Sequence, residues 1–331
     1  MRWGSIVALS LAASAAEARP PIQANDPNAS ELWREAIEPH GATVAAITAK
    51  ARAQIAKAGE PGDDDNDAID RRARYLGNAY GMLRYARKLS PENPDVLTLL
   101  GITADELGRT RQAIDALEAC VRVQGPDRVS AQVTGRLGMI QLRLGKLDDA
   151  VRWLRYVQSP LSDTDNAVVL VQLATALAAR GNMAQAIETL TNALPAQISY
   201  PTDPLTLVSF ALAVHYDRDE QRAAAFEVLD RMQAAHQLEL GAATQRALAA
   251  MRFAPVEDEY YYEALLYEAL GDYTEARAEW ALYASVPDAP WRRRALDHIA
   301  AIDAQPRAAP GGRGAPRAGA AVRNRPGAGV P

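Results

Sequence analysis

DVLTLLGITADELGRTRQAIDALEACVR, residues 95–122, decides the reading of this chain, because its pattern is written twice more. The second copy is SAQVTGRLGMIQLRLGKLDDAVRWLRYV at 130–157, and the third is VVLVQLATALAARGNMAQAIETLTNA at 168–193. Leu100-Gly101, Leu137-Gly138 and Leu173-Ala174 correspond, and so do Gly108, Gly145 and Gly181. Ala113, Ala150 and Ala186 follow at matching places. The three glycines stand 37 and 36 residues apart. Self-similarity at such a period means one supersecondary unit used repeatedly.

The unit reads as a pair of antiparallel helices. Leu97, Leu100, Ala104 and Leu107 fall three or four apart and line one helix face. Gly108 supplies the positive phi of a helix C-terminal cap. A second stripe follows at Ala113, Ile114, Leu117, Cys120 and Val121. Gly101 and Ala113 are small where the two helices cross, since a larger side chain there would overpack at ~1–3 kcal/mol.

This pattern resembles the tetratricopeptide repeat. Three copies fit in order, and Tyr260, Ala264, Tyr267, Gly271, Ala276, Trp280 and Tyr283 outline a further one. The chain departs from the family in its spacing, which exceeds 34. It departs also in Gln141 and Leu177, which stand where a tyrosine is usual. The resemblance implies an all-α protein, a right-handed α-solenoid of helix hairpins, with divergent N-terminal helices and a C-terminal capping helix. It also implies a concave side lined by the first helix of each hairpin, where members of the family hold a segment of a protein partner. Aligning the copies puts Thr98, Ile102 and Asp105 on that side, then Met139 and Leu142, then Val171 and Thr175, then Tyr261, Leu265 and Glu268. Arginine is sparse in that set, apart from the nearby Arg136 and Arg143. With an apolar middle and acids toward its ends, the groove suits an apolar or basic segment, or a helix laid in it. Alternatively, the same side chains pack against other helices of the chain.

Around this core the chain divides. Residues 1–18 read as a signal peptide, with Arg2, an apolar run from Ile6 to Ala13, and small residues at the cleavage site. Export to the periplasm or beyond follows as an expectation, with cytoplasmic residence as its alternative. Residues 19–29 read as a linker and 30–90 as divergent N-terminal helices, among them a short one at Glu31 to Ile37. Residues 91–304 form the solenoid. Within it Leu205 to Met232 is a degenerate repeat, and Leu238 to Met251 an inserted or poorly matching helix. The helix behind Pro290-Trp291 caps the stack. Residues 305–331, rich in Arg, Pro, Gly and Ala, cannot bury enough apolar surface to order themselves.

The net charge is −5, yet the last stretch is basic, so the body is more acidic than the total suggests. An acidic body argues against wrapping nucleic acid. The basic tail, tethered to it, is expected to visit acidic surface near the groove and compete with a partner. Cys120 is the single cysteine, which excludes an intramolecular disulfide, and its place in the repeat is that of a small core residue.

Signs of catalysis are missing from the sequence. It contains no phosphate-cradling glycine loop, nucleophile elbow, metalloprotease pair or cysteine cluster. Asp63, Asp65 and Asp67 alternate as in a calcium loop, but Ala68 and Arg74 occupy the places that need glycine and glutamate. His215 lies near Asp217 and Asp219, which read as solvated residues at a helix end, and His298 reads as packed or half-exposed beside the capping stripe. No cofactor and no metal are expected. The leading reading is a non-enzymatic scaffold for a protein or peptide partner. Its rivals are a self-associating component of the cell envelope and an accessory subunit of an enzyme complex.

Overall fold

The computed structural model describes residues 40–60, 65–156, 161–195, 201–236 and 239–305. The signal peptide, the linker, the Glu31 to Ile37 helix, Asp63 and the tail beyond Gln305 lie outside the described residues. Within them the chain is helical throughout, with no strand. Two helices, α1 (Gly41–Ala58) and α2 (Asp65–Leu89), precede the repeats. Asp65 and Asp67, read above against a calcium loop, belong to the first turn of α2. The three aligned copies become three hairpins: α3 (Pro94–Glu106) with α4 (Thr110–Gln124), α5 (Ala131–Arg143) with α6 (Leu147–Leu154), and α7 (Thr164–Ala179) with α8 (Met183–Ala193). The degenerate repeat is α9 (Asp203–Arg218) with α10 (Arg222–His236), and the inserted helix is α11 (Leu240–Leu248). A last hairpin, α12 (Asp258–Leu270) with α13 (Tyr273–Ser285), and the capping helix α14 (Arg292–Asp303) complete the order.

Local chemistry sets the helix ends. Asn93 accepts a hydrogen bond from the Val96 amide at 3.1 Å, with Pro94 behind it, and so starts α3. Asp163 caps α7 through the Asn166 amide at 2.8 Å. Hairpin turns are closed by Gly108, Gly145, Gly181 and Gly271 at phi between 69 and 80°. Each turn makes the same two bonds. The Gly108 amide donates to the Asp105 carbonyl and the Arg109 amide to the Ala104 carbonyl, and the other turns repeat this register.

The degenerate hairpin turns the same way without a glycine. Glu220 takes phi 60°, its amide donates to the Asp217 carbonyl, and the Gln221 amide donates to the Tyr216 carbonyl. Among the described residues, backbone register thus counts five equivalent turns, at 108, 145, 181, 220 and 271.

Packing follows the repeat. Each first helix packs on its own second helix, and α5, α7 and α9 stack on the hairpins before them. Ala113, Ala150, Ala186, Ala225 and Ala276 are all buried at the crossings. A Cβ on Gly101 would lie 2.5 Å from Leu117 Cγ, and one on Gly138 would run into Leu154. Cys120 is fully buried, with its sulfur 3.3 Å from Thr98 Oγ1. The stack is therefore an all-α solenoid of helix hairpins. Among the described residues no helix is long and apolar enough to cross a membrane.

Candidate partner-binding site

The first helices α3, α5 and α7 stack in order, and the connector after the inserted helix reaches them. Helix α11 packs on α9 through a face that includes Leu240, Ala243 and Ala247. The connector after it reaches back to α7 and α3. Gln172 Nε2 on α7 donates to the Arg252 carbonyl at 3.0 Å, and the Arg252 guanidinium meets Glu106 of α3 at 2.5 Å. Phe253, in the same connector, packs edge-on against Tyr262 with ring centroids 5.2 Å apart.

This arrangement sorts the residues assigned to the groove. Thr98 and Ile102 on α3 are partly exposed. Asp105, Met139, Leu142, Val171, Thr175, Tyr261 and Leu265 are buried, and Glu268 is almost so. Most of that set therefore packs within the chain.

The acids are partnered by arginines. Asp105 receives Arg136 Nη1 at 2.9 Å and also Arg143. Glu106 receives Arg136 at 3.1 Å, Arg252 at 2.5 Å and also Arg72 of α2. Burial pushes the Glu106 carboxyl upward, but Arg252 and Arg136 outweigh it and hold it below the ordinary range. At this end four guanidinium groups thus already surround the two carboxylates that were expected to face a basic segment.

Tyr261 and Glu268 are drawn into a second network at the other end. Asp217 accepts from Tyr261 Oη at 2.7 Å, from Arg294 at 2.5 Å and from His298 Nε2 at 2.9 Å. Glu268 accepts from His298 Nδ1 at 2.7 Å and from Trp280 Nε1 at 3.1 Å. The His298 ring stacks on Trp280 at 4.3 Å. Beside it Arg218, fully enclosed, stands 2.8 Å from Asp258 and 4.6 Å from the Tyr261 ring centre.

His215 and Asp217 are correspondingly not solvated residues at a helix end. Both are almost completely buried. Asp217 precedes its turn residue by three, as Asp105, Leu142, Ala178 and Glu268 precede theirs. The signal that would have found it is this register, hidden because Glu220 takes the place of the turn glycine. His215 stands at the buried position that Thr103, Ile140, Ala176 and Leu266 hold in the other hairpins. His298, expected to be packed or half-exposed, is packed. Among the described residues no group of His, Cys, Asp and Glu could hold a metal ion.

Residues 94–126 and 131–155 each match a family model described as tetratricopeptide repeat. No curated protein matches the chain. Among solved structures it is similar to the crystal structure of MamA, at 19% identity and a TM-score of 0.39, over 56% of this chain and 95% of that one. It is also similar to the structure of Naa15/Naa10 bound to HypK-THB, at 14% identity and a TM-score of 0.32, over 84% of this chain and 39% of that one. Tetratricopeptide repeats build protein-interaction scaffolds, a fold in general without catalysis. With two repeats matched and the same turn made five times among the described residues, this chain carries tetratricopeptide repeats.

Proposed function

We propose that this chain is a non-enzymatic scaffold that holds a segment of a protein partner against the first helices of its N-terminal hairpins. The observation that supports the location is the partial exposure of Thr98 and Ile102 on α3, while their counterparts Val171 and Thr175 on α7 are buried and α9 is covered by α11. Binding there would draw on apolar burial at ~25 cal/mol per Å2, less the cost of ordering the segment. A photo-crosslinking residue at Ile102 should give one defined adduct in native cells. The same residue at the exposed Arg111 of α4 should give none. Adducts from Arg111 alone, or equally from both, would refute the location. An adduct of twice the chain's mass would identify self-association as the function instead.

The proposed site of action is the cell envelope, on the strength of the signal-like residues 1–18. N-terminal sequencing of the mature protein should begin at Ala16 or Arg19. Intact Met1 on protein recovered from the cytoplasm would reverse the location and leave the scaffold role untouched.

A further inference from the structure

Residues 251–253 of the connector between α11 and α12 form neither helix nor strand, yet they are fastened to three different first helices. Gln172 Nε2 on α7 donates to the Arg252 carbonyl at 3.0 Å. The Arg252 guanidinium meets Glu106 on α3 at 2.5 Å, and the Phe253 ring meets Tyr262 on α12 edge-on. Met251 and Ala254 are buried in the same apolar cluster as Met139, Leu142 and Val171, which aligning the repeats assigned to the groove. The connector is thus held as a bound peptide would be: a main-chain carbonyl by a buried side-chain amide, apolar side chains in the cluster, and a charge at the rim. An amide that donates to a main-chain carbonyl takes hold of a chain whatever its sequence.

These fastenings are of a kind that can let go. The Arg252 side chain is 52% exposed, and Val256 beyond it is 71% exposed. Glu106 is also bound by Arg136 and Arg72, so the departure of Arg252 leaves no carboxylate without a cation. An ion pair with so exposed a partner contributes little and weakens with salt. Gln172 is buried with the connector in place. Once the connector lifts, its amide is free to donate to another main-chain carbonyl, beside Val171 and Thr175. Helices α11 and α12 flank the connector and are anchored by their own packing, α11 on α9 and α12 on α13. Segments with few buried contacts open at a much lower free energy than the whole fold.

We infer that residues 249–257 are an autoinhibitory strap. They occupy the groove at α7 and must lift before a partner segment can extend from Thr98 and Ile102 along α5 and α7. The inference rests on the scaffold reading above and adds its regulation. In the closed state the α3 end is open; in the lifted state the groove lengthens. A partner that binds the lifted state better shifts the population toward it. Its apparent affinity is set by the fraction of chains with the strap lifted.

Thiol labelling of the full chain tests the strap without any partner. Thr175→Cys puts a thiol of similar size one turn along α7 from Gln172, at a buried position. Its rate of reaction with a maleimide dye reports lifting. The native Cys120, fully buried in α4, reports global unfolding in the same sample. Adding Arg252→Ala should speed labelling of the introduced thiol about fivefold at low salt. Salt that shortens the Debye length from ~10 to ~3 Å should speed it where Arg252 is kept, and leave the Arg252→Ala protein unchanged. Adding Gln172→Leu instead should speed it about threefold to tenfold at any salt. Cys120 should stay unlabelled throughout. Equal rates with and without Arg252, or labelling of Cys120 in step with the introduced thiol, would overturn the strap.

Competition is read from the photo-crosslinking residue at Ile102. Below saturation, Arg252→Ala should give about fivefold more adduct than the parent chain. Equal yields alongside faster thiol labelling would show that the connector lifts without competing, and would overturn the autoinhibition while sparing the scaffold reading. No adduct from either protein would refute the scaffold reading and with it the competition, while the labelling rates judge the lifting separately.

Discussion

His298 sits with Nε2 2.9 Å from an oxygen of Asp217, 81 residues earlier in the chain. Its other nitrogen points at Glu268, so both ring nitrogens face carboxylates. A neutral imidazole has only one N–H, so this geometry demands the imidazolium. Burial opposes that charge, but the hydrogen bonds and charges of Asp217 and Glu268 prevail and raise the His298 pKa. The capping helix α14 is thereby tied to α9 and α12 by a buried charged network.

Removing one partner from such a network leaves buried charge uncompensated, at a cost of ~3–5 kcal/mol. His298→Gln should show that loss in urea denaturation at neutral pH and below. Because the folded pKa is raised, the imidazolium contributes fully below the unfolded value of ~6.5. The contribution disappears as pH rises through the folded value. The stability gap between wild type and His298→Gln should therefore close on the alkaline side. A gap that widens with pH would contradict the imidazolium.

His215 titrates in the opposite sense. Burial first, and then the Arg218 charge, push its pKa down to about 4. The folded protein holds it neutral while the unfolded chain takes up a proton below ~6.5. Stability falls as pH drops through that window, by up to ~3 kcal/mol once below the folded value. His215→Leu should lack this part of the acid limb. An acid limb identical to that of wild type would show that another group carries it.

Glu220 makes the hairpin turn in the left-handed region that glycine occupies in the equivalent turns. A side chain there costs roughly 1–2 kcal/mol. Glu220→Gly should raise stability by about 1 kcal/mol, discounted for the greater freedom of the unfolded chain. Gly145→Ala should lower it by a similar amount, because that position has phi 69°. Opposite signs in denaturant titrations would confirm that the turns are equivalent.

Helix crossings should be the positions least tolerant of bulk. Gly138→Ala should cost ~1–3 kcal/mol through its clash with Leu154. Ala150→Arg and Ala186→Arg should be worse, since each places a charge at a fully buried crossing. Gly77→Ala offers the contrast. That helical glycine has nothing within 4 Å of an added Cβ, so the exchange should stabilise by roughly 0.5–1 kcal/mol. Wild-type melting of both arginine variants would overturn the repeat register.

The sequence by itself determined the hairpins. A helix pair is specified by local quantities that a repeat multiplies: apolar spacing, a glycine at the turn and an alanine at the crossing. That is why α3 to α8 and α12 to α14 stand where the periodicity of Leu100, Gly108 and Ala113 and their counterparts put them. Even Asp217 was within reach by counting back from a turn. Only the tertiary structure decided what the first-helix side offers. The distances between Glu106 and Arg252, and between Asp217 and His298, depend on how far the stack curves and where an inserted helix lands. Small rotations between successive hairpins accumulate along a solenoid. No local pattern encodes their sum, so the charge that meets solvent could be read only from the folded chain.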